Sequence, residues 1–73
     1  MKYKDNNDIL IGDKVYVKSE NITGTIEAII EDSKEREYWG DNDNGIMIKD
    51  NKIFGRLFMP ESMVNDLELI KRG

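Results

Sequence analysis

The chain has no cysteine and no histidine. The first absence removes a disulfide framework and a thiolate metal site, and the second removes the commonest general base and zinc ligand. What remains offers no evident nucleophile and base pair, so no enzyme, no cofactor and no metal are expected. Long apolar runs are missing too: the longest is a few residues, against the roughly 20 needed to span a bilayer. The start, Met1 to Asp8, carries no apolar targeting stretch, so the expected setting is cytoplasmic and away from membranes. At 73 residues the chain makes one domain, and a domain this small buries only about 60% of the surface its unfolded chain exposes. A deep active-site cleft is therefore not expected.

Hydrophobic residues make up 38% and charged residues 36% of the chain, and the apolar ones are grouped in alternating runs, which favours a fold over disorder. From Ile11 to Ile30 the sequence reads as two β-strands joined by a polar break at Ser19 to Thr23. Val15 and Val17 alternate with Lys14, Tyr16 and Lys18. Gly24, Ile26, Ala28 and Ile30 then alternate with Thr25, Glu27 and Ile29, so each strand offers one apolar face. Gly24 marks a bulge or a close backbone approach. A Gly12-Asp13 before a β-branched run, followed by a Gly-Thr-Ile opening the next strand, resembles the start of SH3-like small barrels, including the KOW type.

Further on, Asn44-Gly45 reads as a turn, Ile46 to Lys49 as a third strand, Asp50-Asn51 as a tight turn and Lys52 to Met59 as a fourth strand. Pro60 lacks a backbone donor and ends that pairing. A single 3₁₀ turn over Pro60 to Met63 leads to a fifth strand at Leu67 to Ile70. The resulting expectation is an all-β protein: a five-stranded SH3-like small barrel with a short 3₁₀ turn before the last strand. Residues 1–8 form a flexible N-terminal segment, and residues 9–73 form the barrel domain, with an acidic insert at about 31–44.

That insert holds the charge excess. Glu31 to Asp43 contains six acids against two bases, a balance of −4 that equals the net charge of the whole chain; the remainder has nine of each. It also holds Tyr38 and the only tryptophan, Trp39. A short helix over Asp32 to Glu37 competes with a long loop there, and the like-charge pair Glu31 and Glu35 disfavours the helix. Two readings of the aromatics stay open: rings folded back onto the barrel, or a recognition loop whose acids steer a basic partner toward an aromatic anchor. The second makes Glu35, Glu37, Tyr38, Trp39, Asp41 and Asp43 the partner-binding residues.

Tyr16, Phe54, Arg56 and Phe58 form a candidate second surface on the outer face of the sheet, suited to a peptide or a stacked base. Asp41 to Gly45 has calcium-loop composition, but glycine falls fifth rather than sixth and the twelfth position is Lys52. The resemblance to KOW domains implies nucleic-acid binding, which an isoelectric point near 4.7 opposes. The functional expectation is thus a non-catalytic protein-binding module, acting as a small acidic inhibitor or adaptor on the basic, nucleic-acid-binding surface of a partner. The alternative is an accessory KOW-type nucleic-acid-binding domain, and the chain itself is a monomer or weak homodimer.

Overall fold

The computed structural model describes residues 1–40, 42–50 and 55–72. Its order of elements is β1 (Lys14–Val17), β2 (Ile22–Ile30), α1 (Ser33–Trp39), β3 (Gly45–Asp50), β4 (Arg56–Pro60), a 3₁₀ helix (Glu61–Asp66) and β5 (Leu67–Lys71). All strand pairs are antiparallel, in the spatial order β4-β3-β2-β1-β5. This is the five-stranded all-β architecture expected, with the 3₁₀ helix before the last strand and the sheet left unclosed between β4 and β5. The Asp50-Asn51 turn and the first residues of the expected fourth strand, Lys52 to Phe54, lie outside the described residues.

Period-two alternation builds the main core. Val15, Val17, Ile26, Ile46, Ile48, Met59 and Leu67 turn inward from the five strands, Val64 caps them from the 3₁₀ helix, and Leu57 and Leu69 pack at the margin. Gly24 lies in the close approach expected of it: a Cβ there would meet Ile48 Cγ2 at 2.5 Å and the Lys49 carbonyl oxygen at 2.7 Å. Asn44-Gly45 is not the turn its composition suggested. Gly45 opens β3 and is buried, because a Cβ would strike the Phe58 ring at 2.6 Å and the Met59 carbonyl oxygen.

The bulge lies at Glu27 rather than at Gly24. Ile26 pairs with Ile48 and Ala28 with Met47, so Glu27 has no opposite residue and the alternation of β2 flips. Ala28 and Ile30, expected in the one core, instead join Met47 in a second apolar cluster, while Ile29 packs against the first. The sheet is therefore apolar on both faces at this end.

The N-terminal segment folds back on itself. A Lys2–Asp8 bridge and the bonds from Tyr3 N–H to Asn7 O and from Ile9 N–H to Met1 O shape a compact strap. Tyr3 and Ile9 are buried in the main core. The reason is Asp13, whose carboxylate is 1% exposed. Its Oδ2 accepts from the Tyr3 hydroxyl at 2.7 Å, the Leu10 N–H at 3.0 Å and Arg72 Nη1 at 2.8 Å. Burial works to raise the Asp13 pKa, but these donors outweigh it and hold the carboxyl below its ordinary 3.8. Burial, reinforced by the carboxylate, pushes the Tyr3 hydroxyl far up.

Candidate functional site

Within the acidic insert Ser33–Trp39 form a helix, α1, where a long loop competed with it. Asp32 is its N-cap, with Oδ1 accepting from Glu35 N–H at 2.8 Å, and Gly40 closes it at φ 74°. Aspartate followed three residues later by glutamate is a capping signal, and Gly40 supplies the left-handed C-terminal position without a Cβ penalty. Together these outweigh the repulsion between Glu31 and Glu35, which amounts to only a few tenths of a kcal/mol. Moreover Glu31 faces the chain's N-terminal amine at 3.9 Å, which draws its charge aside. Replacing Asp32 with Ala should cost the helix about 1 kcal/mol, seen as faster amide exchange in α1 while the exchange in β1 and β2 stays slow.

Trp39 fixes this helix to the sheet. Half-buried, it packs with Phe58 against the second cluster of Ala28, Ile30 and Met47. Arg56 stacks over its ring with Cζ 5.8 Å from the centroid, within the range of a cation–π contact. The guanidinium also grips the bulge residue, donating to Glu27 Oε2 at 2.6 Å and Oε1 at 2.9 Å. That bidentate pair holds the Glu27 carboxyl below its ordinary value and raises the guanidinium's. At the base of the helix Arg36 donates to the Asn44 side-chain oxygen.

Tyr38 is left outward. It is 81% exposed, with its ring edge-on to Trp39 at a centroid distance of 5.3 Å. Glu35, Glu37 and Asp43 make no ion pair among the described residues, and Asp32 is used as the cap. Asp41 lies outside the described residues. The two aromatics thus differ in burial: Trp39 packs against the sheet, and Tyr38 is exposed.

The second surface is not brought together. Tyr16 on β1 and Arg56 and Phe58 on β4 are three strand spacings apart, or about 14 Å. Tyr16 donates its hydroxyl to Asn21 Oδ1 at 2.7 Å, Phe58 is part of the second cluster, and Phe54 lies outside the described residues. What the sequence did not disclose is the role of Arg56 as the link between Glu27 and Trp39. Its only sequence signal was a base set between aromatics on an outward position.

Among the described residues no group of three acids gathers as a metal site, and no helix is long and apolar enough to cross a membrane. Comparison with protein families, curated proteins and solved structures found no match to this chain.

Proposed function

We propose that the chain is a non-catalytic protein-binding module whose contact surface is the outer side of α1, directed at a basic surface on a partner protein. The observation that carries this reading is Tyr38. Folding has no evident use for a large ring 81% exposed, whereas an exposed tyrosine on the same short helix as the unpaired carboxylates of Glu35 and Glu37 has the make-up of an interface anchor with a steering field. The helix under it is clamped by Trp39, Arg36 and Arg56, so little ordering remains to be done on binding, and preorganisation favours affinity. A partner that normally holds nucleic acid has the basic surface this face suits, which makes an inhibitor or adaptor the specific form of the proposal.

The test is affinity capture with the folded chain, followed by binding kinetics of the captured protein. Tyr38→Ala should weaken the complex by more than about 1 kcal/mol while leaving the melting temperature unchanged. The combined Glu35→Gln, Glu37→Gln and Asp43→Asn variant should chiefly slow association and flatten its salt dependence. A gel shift of single-stranded RNA or DNA by the chain at low salt, lost steeply as salt rises, would instead favour the KOW-type nucleic-acid-binding role.

A further inference from the structure

On the outer face of the sheet the registers of the four strand pairs line up in one row. Lys71 of β5 lies opposite Lys14 of β1, Lys14 opposite Thr25 of β2, Thr25 opposite Lys49 of β3, and Lys49 opposite Arg56 of β4. The row is basic at every strand but β2, although like charges directly opposite each other on neighbouring strands destabilise a sheet. The carboxylates among the described strand residues of this face are Glu27, gripped by Arg56 with Lys49 nearby, and Glu68, 3.8 Å from Lys18. Lys14 donates to the Thr25 hydroxyl, and Lys14, Lys49 and Lys71 make no ion pair among the described residues. This part of the face therefore keeps an excess of positive charge in a chain of net charge −4.

The other end of the same face carries the opposite sign. Met47 and Phe58 of the second cluster lie two residues along β3 and β4 from Lys49 and Arg56, about 7 Å away. Trp39 seats α1 on that cluster, and α1 brings Glu35 and Glu37. We infer that the outer faces of two copies of the chain pack about a two-fold axis, with the acidic α1 of each against the basic row of the other. A half-turn about an axis between the two zones lays each zone on its opposite, and does so twice. The face is thus its own electrostatic complement, and the contact closes at two copies. The relief agrees, since α1 stands on one end while Lys49, Arg56 and Lys71 lie exposed at the other. A nucleic acid is negative throughout, so it would suit the row but meet α1 with like charge. Within such a pair α1 is covered, so self-association competes with capture of a basic partner, yet it is measured with no partner present.

Sedimentation velocity of the full chain should show a monomer and dimer equilibrium at about 0.1 M salt that is lost at about 1 M, where the Debye length falls to about 3 Å. Lys49→Glu with Lys71→Glu should weaken the dimer by more than about tenfold, since the two-fold axis counts each reversed charge twice. Glu35→Lys with Glu37→Lys should do the same, although removing two acids and adding two bases takes the net charge from −4 to zero. All four changes together exchange the two zones at the original net charge, and should restore the dimer. A chain that stays monomeric up to about 1 mM, a dimer that tightens in high salt, association that follows net charge, or a fourfold variant that stays monomeric would overturn the inference. So would saturable shifts of the Lys14, Lys49 and Lys71 amides by oligodeoxythymidylate or polyglutamate in a monomeric chain, which would give the row to nucleic acid or to another acidic protein.

Discussion

Trp39→Ala should destabilise the protein by about 2–4 kcal/mol, somewhat less than the 3–5 typical of a fully buried tryptophan because the ring is only half-buried. The loss has two parts. The ring is the main apolar contact between α1 and the sheet, and its removal opens the second cluster of Ala28, Ile30 and Met47 to water. Arg56 loses its cation–π partner but keeps Glu27. For a chain of 73 residues with a total stability of about 4–11 kcal/mol, this is a large fraction. Urea denaturation followed by circular dichroism measures it, since the variant has no tryptophan to report. Trp39→Phe should restore about half, because it refills volume without the indole face. Unchanged stability combined with lost partner binding would mean that Trp39 is itself presented to the partner.

Asp13→Ala should cost about 2–4 kcal/mol at neutral pH. Hydrogen bonds to a charged acceptor are worth about 1.5–3 kcal/mol each, and the buried Tyr3 hydroxyl is left without its acceptor. Not all of these losses add, because the strap relaxes as a unit. The effect depends on pH with a definite sign. The Asp13 carboxyl titrates lower in the folded state than its ordinary 3.8, so its stabilisation is fully present above that value and is lost as pH falls through the folded pKa. The gap between wild type and Asp13→Ala should be widest near neutrality and narrow below about pH 4, as paired urea titrations would show. A gap independent of pH would mean that the carboxylate charge does not hold the strap, and a Tyr3→Phe variant would then isolate the hydroxyl.

The strands were legible because each is a short alternating run and alternation survives translation into a sheet face. Val15 and Val17, or Ile46 and Ile48, need no distant information to be assigned inward. Ala28 and Ile30 face the second cluster because a bulge changes parity without changing composition, and nothing in Ile26-Glu27-Ala28 announces one. The helix was legible in part. Asp32, Glu35 and Gly40 are all capping signals, and the terminal interactions they make outweigh the single repulsive pair of Glu31 and Glu35. The burial of Tyr3 could not be read locally at all, since it depends on Asp13 ten residues on and on Arg72, 59 residues beyond Asp13 in the chain. In the candidate site the charge excess and the aromatic pair are visible in the sequence, but the difference in exposure between Tyr38 and Trp39 depends on the second cluster, which itself depends on the bulge.

The pairing of β1 with β5 also sets a folding order. Val15 opposite Leu69 closes a span of 54 residues, while β2 with β3 and β3 with β4 are joined by much shorter connections. Closing the longer loop costs more chain entropy before any contact rewards it, and folds dominated by such contacts complete in milliseconds to seconds rather than microseconds. The β1–β4 meander should therefore assemble first, with one side of β1 waiting open. During that interval the edge later filled by β5 is the most exposed template on the molecule, and crowded chains would meet each other there before they meet their own last strand.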